Sequence, residues 1–155
     1  DPYRNVASIF IHLMLQGRQP IIYGDGKQRR CFTFIDDVVG PLVRLTDECA
    51  GEIINLGPDD DFITINELAD RIADLLNFDL CIRYVDERPQ EVRLANCSAD
   101  KARRLLGYEP TTSLDDGLRR MIEPIAGRGP KPFEYHLPLE IVSELTPATW
   151  KERLL

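Results

Sequence analysis

The stretch Gly17-Arg18-Gln19-Pro20-Ile21-Ile22-Tyr23-Gly24-Asp25-Gly26-Lys27-Gln28-Arg29-Arg30-Cys31-Phe32-Thr33-Phe34-Ile35-Asp36-Asp37-Val38-Val39 decides the fold. Pro20-Ile21-Ile22-Tyr23 has the apolar, β-branched and aromatic composition of a short strand. Gly24-Asp25-Gly26 is a tight turn, because glycine tolerates positive φ. Cys31-Phe32-Thr33-Phe34-Ile35 reads as a second strand. Asp36 then caps a helix carrying Val38, Val39, Leu42, Val43 and Leu45, although Gly40-Pro41 fits badly inside it.

The pattern continues outward on both sides. Val6, Ile9, Phe10, Leu13 and Met14 recur at helical spacing over residues 5–16, with Gly17 as the stop. Glu52-Ile53-Ile54-Asn55-Leu56 reads as a strand closed by Gly57-Pro58. Thr64-x-x-Glu67 is a capping box that opens a helix with Leu68, Ala69, Ile72, Leu75 and Leu76 on one face. Leu80 to Val85 reads as a strand. Ser98 caps a short helix ending at Gly107, with Ala102, Leu105 and Leu106 inward. Ser113-x-x-Asp116 opens another through Leu118, Met121 and Ile122. From Gly127 the chain is rich in proline (Pro130, Pro132, Pro138, Pro147) and reads as an extended tail that wraps something; Thr146-Pro147 starts a final helix. Strands alternating with helices argue an α/β class. The strands are too few for a complete doubly wound sheet, so the chain reads as part of a fold.

Composition narrows the function. The 155 residues make about one domain. With 43% hydrophobic and 29% charged residues, the chain is of ordinary globular type. A formal net charge of −7 disfavours nucleic acid and anionic membrane surfaces. No apolar run approaches the ~20 residues of a membrane helix. The chain begins at Asp1 rather than Met, as a processed or cut chain would. Cys31, Cys49, Cys81 and Cys97 form no C-x-x-C pair. They read as small buried hydrophobes in a reducing, cytoplasmic compartment rather than as zinc ligands.

Few residues carry chemistry. Gly24-Asp25-Gly26 is the only near match to a dinucleotide-binding loop, but Arg29 occupies the third glycine position and no helix start follows. Tyr23 and Lys27 satisfy Y-x-x-x-K, yet two glycines lie between them, so one helix face cannot present both. His12 and His136 have no serine elbow to serve. Asp59-Asp60-Asp61 reads as a solvated acidic turn rather than a cation site. The arginines are the better signal. Gly26-Lys27-Gln28-Arg29-Arg30 precedes one strand, and Arg88-Pro89-Gln90-Glu91 follows another. A guanidinium forks onto phosphate oxygens with two parallel hydrogen bonds, so two of them would clamp a diphosphate. Ordinary surface arginine is the competing reading.

The opening stretch resembles the extended short-chain dehydrogenase/reductase family, which holds NAD-dependent nucleotide-sugar epimerases, dehydratases and decarboxylases. Later pieces resemble it in the same order: Ile54-Asn55-Leu56-Gly57, Glu67-Leu68-Ala69, Arg88-Pro89, and Ser98-x-x-Lys101-Ala102-x-x-x-Leu106-Gly107-Tyr108-x-Pro110. The resemblance covers about residues 1–125 and implies the C-terminal, substrate-binding portion of such an enzyme. The N-terminal Rossmann core, with its NAD site and catalytic Y-x-x-x-K, is expected outside this chain. No catalytic, cofactor-binding or metal-binding residue is assigned, and NAD, the cofactor of the parent enzyme, is not expected on this chain alone.

By the same resemblance, Arg30 and Arg88 contact the diphosphate of a UDP- or dTDP-linked sugar. Glu91 reaches the ribose hydroxyls, and Ile21 and Tyr23 line the base pocket. The family commonly has Arg-Pro-Gly-Asp where this chain has Arg88-Pro89-Gln90-Glu91, and Arg93 stands as a substitute for or supplement to Arg88. Residues 1–126 form the nucleotide-sugar-binding portion and 127–155 the tail. About residues 29–65 are expected to complete the Rossmann sheet. Their apolar faces, at Phe32, Phe34, Ile53 and Ile54, would then be exposed, which favours a homodimer or rearranged packing. The alternative is a non-catalytic interaction module using its sheet edges and tail; a complete small enzyme would need an unrecognised site.

Overall fold

A computed structural model describes residues 4–59, 62–89, 91–135 and 142–155. The elements in chain order are α1 (Val6–Leu15), β1 (Ile21–Tyr23), β2 (Arg29–Cys31), α2 (Ile35–Glu48), β3 (Phe62–Thr64), α3 (Ile65–Leu76), β4 (Arg83–Val85), β5 (Leu94–Ala95), α4 (Asp100–Leu106), α5 (Leu114–Arg128) and α6 (Ala148–Lys151). The class is α/β, as expected.

Three helices build the core. Phe10, Ile11 and Met14 of α1 meet Leu68, Ala69 and Ile72 of α3 and Leu118 and Ile125 of α5, with Ile22 of β1 beneath them. Each helix opens as its sequence dictates. The Thr64 hydroxyl accepts from the Glu67 N–H at 3.1 Å, and the Glu67 carboxylate accepts from the Thr64 N–H at 2.6 Å. These bonds satisfy donors that the first turn of α3 would otherwise leave open. Ser113 accepts from the Asp116 N–H at the start of α5. The N-cap of α4 is Ala99, not the expected Ser98, and makes no side-chain cap bond; the Ser98 hydroxyl, one residue earlier, accepts from the Asp100 N–H, and the helix ends on left-handed Gly107.

Two small sheets flank this core. β1 pairs in parallel with β4, and β2 is the centre of a three-stranded sheet between antiparallel β3 and parallel β5. The β1–β2 turn is pinned by α3. Gly26 has φ of +70°, and a Cβ there would fall 1.9 Å from the Asn66 side-chain oxygen. Asn66 donates its side-chain N–H to the Asp25 carbonyl at 3.0 Å and its backbone N–H to the Gly26 carbonyl at 3.1 Å. Only glycine fits both the backbone and the space.

Several expectations are corrected. The strand expected over residues 31–35 lies over Arg29–Cys31. Its N-terminal shift follows from pairing, because β3 and β5 offer their hydrogen bonds to residues 29–31. Phe34, not Asp36, takes the N-cap of α2; its side chain makes no capping bond, and Asp36 and Asp37 sit in the first turn, where carboxylates favour the helix dipole. That helix runs through Pro41. Residues 52–56 form no strand: Ile53 is 88% exposed, and its β propensity has no neighbouring strand to act on among the described residues. Leu105 is exposed, whereas Ala102 and Leu106 are buried.

The expected exposed face also lies elsewhere. Phe32 packs partly against the main core, Ile54 packs against the small Ala99–Ala102–Tyr108 cluster, and Phe34 lies over Gly117 beneath the Arg120 guanidinium. The open apolar surface is instead the Ile35–Val39–Leu42 side of α2, together with Ile53. Of the cysteines only Cys49 is buried; Cys31 and Cys97 are half-buried, Cys81 is exposed, and all four are free thiols. Asp59 is used structurally. It accepts from the Ala99 N–H at 3.0 Å and pairs with Arg103, whose hydrogen bonds hold its carboxyl far below the usual range. Asp60 and Asp61 lie outside the described residues.

α5 continues past residue 126 to Arg128. The following segment folds back on the chain itself. Lys131 donates its N–H to Nδ1 of buried His12 at 2.9 Å, and Gln16 reaches the Lys131 carbonyl. Pro147 caps α6, close to where a final helix was expected.

Candidate functional site

The loop from β4 to β5 positions the site. It leaves the β1–β4 sheet at Val85 and joins the β2 sheet at Leu94. Gly24 donates to the Val85 carbonyl at one end, and Arg29 donates to the Arg93 carbonyl at the other. The loop therefore lies across the ends of both sheets, with Tyr23 on one side and Arg30 on the other.

Glu91 joins the two sides. Its Oε1 accepts from an Arg30 Nη2 at 2.8 Å. Its Oε2 accepts from Arg88 Nε at 2.9 Å and pairs with Arg88 Nη2 at 2.8 Å. The Glu91 side chain is only 10% exposed, against 25% for Arg30 and 45% for Arg88. Two guanidiniums share one carboxylate, so Glu91 neutralises one of the two positive charges and leaves guanidinium N–H groups for an anion, although Asp86, Glu87, Glu144 and Glu152 line the adjoining cleft together with Arg88 and Lys151.

The Arg88 guanidinium lies 4.6 Å from the centre of the Tyr23 ring, a cation–π distance. Four of the five expected site residues thus come together. Ile21 shares the Tyr23 side of β1, because alternate residues face one way along a strand and buried Ile22 faces the core. Beside Arg88 and Tyr23 lies a cleft of about 190 Å³, whose other wall is the C-terminal segment, including Pro147 and Lys151.

Two neighbouring arginines have other work. Arg29 stacks over Phe62 and donates to its carbonyl. Arg93 pairs with Glu87 at 3.1 Å. Thr149 is the residue that sequence reading missed. Its N–H donates to the Tyr23 hydroxyl at 3.2 Å, and its own hydroxyl shares a second hydrogen bond with that oxygen. The two residues stand 126 positions apart, and no local pattern announces the contact.

A family model described as GDP-mannose 4,6 dehydratase matches residues 2–121. The chain belongs to this family of extended short-chain dehydrogenases/reductases. Its relatives in the family act on nucleotide sugars. It is 33% identical over 129 residues to a UDP-N-acetyl-alpha-D-glucosaminuronate decarboxylase of Bacillus cytotoxicus, covering 79% of this chain and 40% of that protein. It is 31% identical to a UDP-glucuronate 4-epimerase of Thermodesulfobacterium geofontis, covering 73% of this chain and 35% of the relative. Among solved structures it resembles the UDP-glucose 4-epimerase of Thermotoga maritima with UDP-glucose, at a TM-score of 0.78 and 31% identity, over 83% of this chain and 42% of that one. It also resembles the UDP-glucuronic acid 4-epimerase of Bacillus cereus in complex with UDP-glucuronic acid and NAD, at a TM-score of 0.75 and 28% identity, over 83% and 41%. The chain spans less than half the length of the relatives it matches. Among the described residues no helix is long and apolar enough to cross a membrane, and no cluster of His, Cys, Asp or Glu is arranged to hold a metal ion.

Proposed function

We propose that this chain is the nucleotide-diphosphate-sugar-binding portion of an NAD-dependent sugar epimerase, dehydratase or decarboxylase. The observation that carries the reading is the Arg30–Glu91–Arg88 bridge beside Tyr23. Arg30 and Arg88 take the two phosphates of a UDP- or dTDP-linked sugar. Glu91 accepts from the ribose hydroxyls, and Tyr23 and Ile21 flank the base. The relatives' UDP-sugar complexes support this assignment of ligand class.

Among the described residues, the two motifs nearest to an NAD-enzyme pattern do not fit NAD. Gly24-Asp25-Gly26 joins β1 to β2, two strands, so no helix N-terminus follows to receive a pyrophosphate. Tyr23 ends a strand and Lys27 lies in the turn after it, so they are not a helical pair. Hydride chemistry belongs to a cofactor held elsewhere in the parent enzyme, and this portion supplies position and specificity.

Arg30→Ala tests the reading by calorimetry with UDP. A charge-assisted hydrogen bond lost to phosphate costs about 1.5–3 kcal/mol of binding. Unchanged UDP affinity would return the arginines to ordinary surface. That result would favour the interaction-module alternative, for which the open α2 face is the supporting observation.

A further inference from the structure

We infer that Thr149 is a positioning residue for Arg88, acting through the Tyr23 ring, so that the C-terminal segment tunes the phosphate grip. This rests on the nucleotide-sugar reading above. Thr149 is 5% exposed, and it holds the Tyr23 hydroxyl with both its N–H and its own hydroxyl. Its carbonyl accepts from the Tyr135 hydroxyl, which in turn accepts from the Leu155 N–H at 3.1 Å. Tyr135 packs edge-on against Phe133 at 4.8 Å and Trp150 at 5.7 Å. The segment is thus locked by an aromatic cluster before it touches Tyr23.

The Tyr23 ring then serves as a platform. Arg88 lies on its face, and Nε and Nη2 of the same guanidinium are aligned by Glu91. Among the described residues Nη1 has no partner, which leaves it for a ligand oxygen. An arginine side chain carries large rotamer entropy, and Arg88 is 45% exposed. A fixed platform removes part of that ordering cost from binding. Nothing else among the described residues fixes the Tyr23 hydroxyl, so the platform is only as firm as Thr149 makes it.

The test is calorimetric titration of the full chain with UDP, with the thermal midpoint of every variant measured alongside. Thr149→Val should weaken UDP binding about three- to tenfold, and Thr149→Ser should restore it to within about twofold. In an Arg88→Ala background Thr149→Val should add nothing; in an Arg30→Ala background it should add its full effect. If Thr149→Val lowers the midpoint enough to blur the comparison, Tyr23→Phe removes the same hydrogen bonds and keeps the ring. An effect that persists without Arg88 overturns the inference, because the segment would then act elsewhere. So does wild-type affinity in Thr149→Val while Arg30→Ala remains weakened, which would leave the site reading standing. A wild-type chain that does not bind UDP overturns both.

Discussion

Glu91 divides its two oxygens between Arg30 of β2 and Arg88, three residues before it on its own loop. It neutralises part of their charge; in the proposed function it is the acceptor for the ribose hydroxyls of a bound nucleotide. These roles separate experimentally. Glu91→Gln should strengthen inorganic pyrophosphate binding, because both guanidiniums lose a competing carboxylate. It should also shrink the preference for UDP over pyrophosphate by about tenfold, the order of one charged hydrogen bond. Parallel losses for both ligands, read by competition calorimetry, would show Glu91 to be a scaffold for the arginines only. At this scale Arg30, Arg88 and Glu91 were legible as residue types next to strand ends. Their meeting was not, because it depends on a loop crossing two sheets. Thr149 was not legible at all, since Thr146-Pro147 just before it announces only a helix start.

Elements defined by local chemistry were the easiest to read. The Thr64–Glu67 capping box and the Val6–Leu15 periodicity needed no tertiary information. β3 and β5 are three and two residues long, and only their pairing with β2 makes them strands. Residues 52–56 show the converse, with strand composition and no strand beside them. The contact between α1 and the C-terminal segment gives an element-scale prediction. Burial, and after it the positive charges of the chain's N-terminus and of Lys131, lower the pKa of His12 from its ordinary 6.5. Its Nδ1 must stay unprotonated to accept from the Lys131 N–H. The unfolded chain therefore takes up this proton first, so stability is complete above about pH 6.5 and falls as pH drops below it. Urea midpoints at pH 7.5 and 5.5 should show that drop, and His12→Asn should flatten it. An equally steep drop in His12→Asn would place the titration elsewhere.

For the whole molecule, the core closes around α1, α3 and α5, while α2 leaves Ile35, Val39 and Leu42 open. A contiguous apolar stripe of this kind marks an interaction surface. We expect the isolated chain to self-associate through it, and Val39→Lys with Leu42→Lys to shift light scattering towards monomer. A wild-type chain that is monomeric at every concentration would contradict this. On the proposed function the chain grips a nucleoside diphosphate and not NAD. The most direct measurement is an NMR titration of the labelled chain with UDP, dTDP and NAD in parallel. Saturable shifts are expected at Tyr23, Arg30, Arg88 and Glu91 with a nucleoside diphosphate, lost in Arg30→Ala, and none with NAD. Shifts confined to α2, or equal shifts with NAD, would contradict it.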